Sequence, residues 1–277
     1  TKKELIELLN KKEMLNGKEI ESIKLDEIDT SKIADMSFLF ANMSDEECKE
    51  IMNASESEKE TLKNNKVNVD SMIYSCKNPV KRQDFSGIES WNVSSVVTMQ
   101  GMFTYASSFN QPLHKWNVSK VKDMMGMFAG AESFNQPLNK WNVSNVKNMI
   151  SMFDEAKSFN QPLNAWNVSK VENMMSMFKR AESFNQNLNA WNVSKVENMG
   201  YMFAFAKSFN QPLDSWDVSS VENMDSMFYK AKSFNQNLDS WGDKIPKYCN
   251  IESMFYNSAM ENNPPKWWEK RLEEMSK

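Results

Sequence analysis

The amino-acid sequence predicts an α/β repeat fold: a right-handed solenoid with a parallel sheet on one face, short helices on the other, and helical caps at its ends. Three observations predict it. Trp91, Trp116, Trp141, Trp166, Trp191, Trp216 and Trp241 recur every 25 residues. Each opens a unit of the form W-N-V-S-x-V-x-x-M-x-x-M-F-x-x-A-x-S-F-N-Q-(P/N)-L-x-x, held closely over six copies from Trp91 to Ser240. Within each unit an apolar spacing of two, as in a strand, gives way to spacings of three and four, as in a helix.

The strand is expected around the Trp. Leu113, Trp116, Val118 and Val121 follow an L-x-x-W-x-V-x-x-V pattern, which is leucine-rich-repeat-like. Trp116 and Val118 then point inward, with Asn117 and Ser119 outward. The helix is expected over Val121, Met124, Met127 and Phe128, before Phe134 and Leu138 return the chain to the next strand. Neither element buries its apolar face alone, so the units must stack, with strands about 4.8 Å apart. An all-helical array is the rival, but the Pro and strand-favouring residues of S-F-N-Q-P-L-x-x-W-N-V-S oppose a second helix.

The ends degrade, as caps of a repeat array should. Residues 1–27 are expected to form an N-terminal helical cap, begun by Thr1 and Glu4 and carried by Leu5, Leu8 and Leu9. Residues 28–90 read as degenerate repeats: one turn with Ile28, Ile33, Met36, Leu39 and Phe40, and a second with Met72, Ile73 and Cys76. A helical insertion at about 44–64 interrupts them, opened by Ser44 and Glu47 as a capping box. The regular repeats run over 91–259, the last carrying a two-residue insertion before Met254 and Phe255. Residues 260–277 read as a capping helix starting near Pro264 and Pro265, with Trp268, Leu272 and Met275 as its buried stripe.

Composition narrows the function. Charged residues make up 25% and the net charge is −4, which gives no electrostatic case for nucleic acid. The 22 Met are regularly spaced and read as core filler rather than as metal ligands. Cys48, Cys76 and Cys249 are too few and odd in number for a disulfide framework, and Cys76 falls where other units carry Ala, so it reads as a small buried side chain. No apolar run approaches a membrane span. No signal peptide is visible, and a start at Thr1 leaves room for a leader or anchor upstream.

No catalytic chemistry emerges. His114 is the only histidine and lacks ligands at metal spacing. Phosphate-cradling, dinucleotide and nucleophile-elbow motifs are missing. Neither a metal nor any other cofactor is expected. Asn92, Asn117, Asn142, Asn167 and Asn192 each fit the glycan-acceptor pattern, but they recur because the strand recurs. The favoured reading is an amide ladder, each Asn bonding its neighbours in adjacent turns.

The unit resembles the repeat of BspA-like leucine-rich-repeat surface proteins, and more narrowly the bacterial surface-protein and lipoprotein repeat of about 25 residues. The likeness is strong over 91–255 and weak over 28–90. It implies a non-enzymatic bacterial protein, surface-exposed or secreted, that binds a protein or glycan in adhesion. The alternative is an intracellular protein-binding scaffold or effector, which free cysteines would favour.

Two surfaces are candidates for the ligand. The outward strand residues place His114, Lys115 and Lys140 beside Asn117, Asn142, Asn167 and Asn192, and then Asp214, Asp217, Asp239 and Asp243. That face would run from basic to acidic and orient a complementary partner, or the trend is ordinary drift of surface residues between copies. On the helical side, Tyr201, Phe205 and Tyr229 stand where other units have Gly, Ser, Glu, Arg or Lys, as binding hot spots do; they are also placed to pack on one another.

Overall fold

The computed structural model describes residues 1–15, 18–21, 23–82 and 84–275. Its repeats stack as successive coils. Single parallel bridges link Asp35 to Thr98, Thr98 to Asp123, and so on through Asn148, Asn173, Asn198 and Asn223 to Asn250. All the fixed apolar positions of the unit are buried, as in the coil containing Trp141, Val143, Val146, Met149, Met152, Phe153, Ala156, Phe159 and Leu163.

The backbone that buries them is neither the strand nor the helix expected. Among the described residues, 91–238 contain no helix and no strand longer than a single bridge. Over 124–131, alternate amides take different routes. Met127, Ala129 and Ala131 donate to carbonyls three residues back (Met124, Gly126 and Phe128), closing consecutive turns at 3.0–3.1 Å. Met124, Gly126, Phe128 and Gly130 donate to Asn148, Ile150, Met152 and Asp154 of the next coil at 2.8–3.0 Å. A helix would spend every amide inside its own coil and leave none for the neighbour. Consecutive turns reproduce the same apolar spacing of three and four, so the spacing alone does not distinguish them.

The expected strand is also absent. Trp116 donates to the Leu113 carbonyl and Val121 to that of Val118, so W-N-V-S is a pair of turns. The parallel ladder instead runs through the residue just before the first Met of each unit.

This turn sequence needs two left-handed residues per coil. With the Trp as position 1, positions 11 and 15 have positive φ throughout: Gly126 and Gly130, Ser151 and Glu155, Ser176 and Arg180, Tyr201 and Phe205, Ser226 and Lys230. Side chains there cost about 1–2 kcal/mol relative to glycine. Among the described residues none bonds the Ser151 hydroxyl to offset this, so Ser151→Gly is expected to raise stability by about 0.5–1 kcal/mol, after allowing for the greater freedom of Gly in the unfolded chain. Urea unfolding measures it; a destabilised variant would contradict the strain.

Three aromatic ladders fill the interior. Phe103, Phe128, Phe153, Phe178, Phe203, Phe228 and Phe255 stack at 5.6–5.8 Å. Phe109, Phe134, Phe159, Phe184, Phe209 and Phe234 stack at 5.7–6.0 Å beside them. The tryptophans form the third ladder, with Trp166 and Trp191 6.4 Å apart and nearly parallel. Each buried indole needs an acceptor. Trp141 finds it in the Leu113 carbonyl at 2.9 Å, and the following tryptophans repeat the bond.

The ends differ from expectation. Helix α1 (Lys2–Leu9) is capped by Thr1 and Glu4 and buries Leu5, Ile6 and Leu9. A hairpin of β1 (Lys12–Leu15) and β2 (Lys18–Glu21) follows, so 1–27 is not wholly helical. Residues 28–90 make one interrupted coil rather than two. Met36, Phe38, Phe40 and Asn42 donate directly to the coil of Trp91. The chain then leaves as α2 (Asp45–Asn53), α3 (Glu56–Asn64) and α4 (Val69–Lys77). It returns with Phe85, which packs edge-on to Phe40 and Phe109 and completes the ladder. Met72, Ile73 and Cys76 therefore lie on α4, and Cys76 is bonded to Cys48 of α2 rather than free. Two helices packed side by side bring the two sulfurs together across 28 residues of sequence.

At the far end, α5 (Trp268–Met275) imitates a further coil. Trp267 donates to the Leu238 carbonyl at 2.8 Å, as a next repeat Trp would, and Trp268 packs edge-on to Phe255. Leu272 is 43% exposed; the buried face belongs to the two tryptophans and Arg271, whose guanidinium reaches the Pro246 carbonyl.

Candidate functional site

The row beside the tryptophans is exposed but differs from the expected ladder. Lys115, Asn117, Lys140, Asn142, Asn167, Asn192 and Asp217 all face solvent. Each Asn bonds its own turn: the side-chain oxygens of Asn117, Asn142, Asn167 and Asn192 accept from the amides of Ser119, Ser144, Ser169 and Ser194 at 3.1–3.2 Å. Asp217 does the same with Ser219, and these bonds hold its carboxyl below the usual range. Asn and Asp favour such turns because their oxygens reach the amide two residues on.

The coil-to-coil amide ladder lies in S-F-N-Q instead. Asn110 accepts from the Asn135 amide at 3.0 Å, and Asn135, Asn160, Asn185 and Asn210 continue the series. The acidic end is partly occupied as well: Asp214 accepts from Asn189, and Asp239 pairs with Lys266 at 3.1 Å.

The second predicted surface gathers more. Positions 14 and 15 follow the parallel ladder on the outside of each coil, and their chemistry changes along the stack. Asp154 and Glu155 face Lys179 and Arg180 of the next coil at 3.6 and 2.7 Å. Beyond them lies an aromatic cluster. Phe205 meets Tyr229 edge-on at 5.3 Å, and Tyr229 stacks on Tyr256 at 5.3 Å. Arg180 lies over Phe205, and Lys230 lies over both Phe205 and Tyr229, at 5.1–5.3 Å. Tyr201 and Tyr256 remain 38% and 53% exposed.

Tyr256, Arg180 and Lys230 are the members that sequence reasoning missed. Tyr256 occupies the same unit position as Tyr229, and allowing for the two-residue insertion in the last repeat would have found it. The cluster combines exposed ring surface with fixed cations, a composition suited to binding rather than to proton transfer. Among the described residues no group of three or more His, Cys, Asp or Glu is arranged to hold a metal, and no helix is long and apolar enough to cross a membrane.

Asp154 offers a chemical test of this face. Burial pushes its carboxyl up to about 6, against the opposing charge of Lys179, and its Oδ1 has no hydrogen-bond partner. Between the ordinary Asp value near about 4 and 6, the folded state holds more protons than the unfolded one, so stability falls as pH rises through that window. Asp154→Asn is expected to stabilise the protein by about 1–3 kcal/mol at pH above about 7 and to give nothing at pH below about 4. Thermal unfolding at both pH values decides; an equal effect at each would contradict the titration.

A family model described as "Mycoplasma protein of unknown function, DUF285" matches residues 67–185 and again 162–268, together more than half of the chain. No curated protein matches the chain, and no solved structure matches it.

Proposed function

We propose the following reading of this chain, which belongs to the DUF285 family: it is a non-enzymatic repeat scaffold, displayed at a bacterial surface or secreted, that binds a protein or glycan in an adhesin-like role. The observation that carries the reading is the contrast within each coil. Inward positions are nearly constant and buried, while positions 11, 14 and 15 vary, from covered small residues such as Ser176, Ala204 and Ser226 to the larger Tyr201, Phe205, Tyr229 and Tyr256 with Arg180 and Lys230. A scaffold that holds its interior fixed and varies the positions at one face is suited to recognition. We place the stack with leucine-rich-repeat-like right-handed solenoids, as one whose coils are built from turns.

The Cys48–Cys76 bond supports an extracellular setting, because disulfides persist in oxidising compartments. The intracellular alternative drew on free cysteines, and Cys249 is the one that stays free.

The test is a quadruple substitution, Tyr201→Ser, Phe205→Ser, Tyr229→Ser and Tyr256→Ser, assayed against immobilised glycans and extracellular matrix proteins. Binding is expected to fall by about tenfold or more, since hot-spot residues contribute about 2 kcal/mol or more each. The paired change of Lys115 and Lys140 to Ala should matter less. Unchanged binding in the quadruple variant would remove the aromatic cluster from the proposal, and protection from protease on intact cells would remove the surface location.

A further inference from the structure

A cavity of about 820 Å³ opens between the inserted helices and the N-terminal coils. That is within the range of about 300–1,000 Å³ typical of ligand pockets. Phe38, Met43, Leu62 and Met72 give it apolar walls, and Tyr105 lies beside them, 41% exposed. Three carboxylates, Glu47, Glu50 and Glu58, also line it. They belong to a strongly acidic segment: residues 44–64 hold seven acidic and three basic side chains, the whole of the chain's net charge of −4. The acidity continues past Tyr105. Backbone bonds from Tyr105 to the Ala129 carbonyl and from Gly130 to the Asp154 carbonyl set Asp154 and Glu155 two coils on, and burial with the charges of Glu47, Glu155 and Asp154 pushes the Tyr105 phenol up. At the matching positions the coil between them carries only Gly126, Ala129 and Gly130, and the Tyr105 ring lies against Gly130.

We propose that this cavity is a second binding site, for a basic amphipathic peptide segment of a partner protein. One or two apolar side chains of the segment enter between Phe38, Leu62 and Met72. Its Lys or Arg residues face Glu47, Glu50 and Glu58. Charge complementarity selects this occupant. Glu47 and Glu58 also cap α2 and α3 through Ser44 and Ser55, but their negative charge stays uncompensated: it would repel an anionic membrane surface, and a purely apolar ligand would not neutralise it. The site goes beyond the adhesin-like reading, because it lies at the opposite end of the stack from the aromatic cluster and uses different chemistry.

Fluorescence anisotropy on the full chain tests it with labelled twelve-residue peptides. An amphipathic Leu/Lys peptide is expected to bind at least about tenfold more tightly than the same peptide with Glu for Lys, and than one with Ser for Leu. Its affinity should fall about tenfold as salt rises from low to high concentration. Glu50→Lys should weaken it several-fold. Thr61→Trp, which fills the mouth from an exposed position on α3, should weaken it about tenfold, with the circular dichroism spectrum unchanged. Equal binding of the Lys and Glu peptides, equal binding of the Ser peptide, or no binding of the Leu/Lys peptide would overturn the proposal. Full affinity in a folded Thr61→Trp protein would overturn it too. None of these outcomes bears on the aromatic cluster, whose test is read on glycans and matrix proteins.

Discussion

Phe178→Ala is expected to cost about 3–5 kcal/mol of stability, the range for removing a buried aromatic ring. Phe178 is fully buried and stands where the ladders meet: it contacts Phe153 and Phe203 at 5.6 and 5.7 Å, Phe184 at 4.1 Å and Trp191 at 6.4 Å. Alanine leaves a void bounded by two neighbouring coils, and their backbones are tied by Phe153→Met177 and Phe178→Met202 hydrogen bonds that resist collapse. Phe178→Leu keeps most of the volume and loses the ring stacking, so it should cost about 1–1.5 kcal/mol. Urea unfolding separates the two variants. A loss below about 1 kcal/mol for alanine would show that the ladder tolerates a gap and that turns alone hold the coils together.

The repeat and its buried positions were legible in the sequence because an interior shared by stacked coils must repeat. Trp166 can be read as buried from its spacing alone. The backbone was not legible, since Val121, Met124, Met127 and Phe128 fit a helix and a run of turns equally well. Glycine marks the left-handed positions only at Gly101, Gly126 and Gly130, while Ser151, Glu155, Arg180 and Phe205 occupy them elsewhere. The same substitution pattern hid part of the site: the variation that singled out Tyr201 and Phe205 is also variation at strained positions. The asparagines beside the Trp were visible, but a repeated Asn fits an own-turn bond as well as a ladder to its neighbours. The Cys48–Cys76 pairing depends on α4, whose Met72, Ile73 and Cys76 fit a turn of the stack as well as a helix.

The paired substitution of Cys48 and Cys76 by Ser, or reduction of the wild-type bond, is expected to destabilise the insertion by about 3–4 kcal/mol, from the entropy of a loop of 28 residues. The insertion has little else of its own. Helix α3 buries no residue, α2 buries only Ile51, and α4 only Val69 and Ser75. Tyr74 of α4 packs on the core beneath Lys3, and the other ties are polar: the Asn68 amide donates to Gln100, Ser71 to Asp35 at 3.1 Å, and the Gln100 amide group to the Lys66 carbonyl at 2.9 Å. The loss should therefore be local. Repeat coils depend on their immediate neighbours, so those from Trp141 onward should keep their amide protection. Exchange in α2 and α3 should accelerate by about 100-fold or more, which is the same 3–4 kcal/mol expressed as a rate ratio. Cys249 does not substitute in the pairing, because it is buried at the other end of the stack and burial pushes its thiol up to about 11. Uniform loss of protection along the whole stack would mean that the insertion supports the coils rather than resting on them. An unchanged α2 would mean that Tyr74 packing and the polar ties suffice without the disulfide.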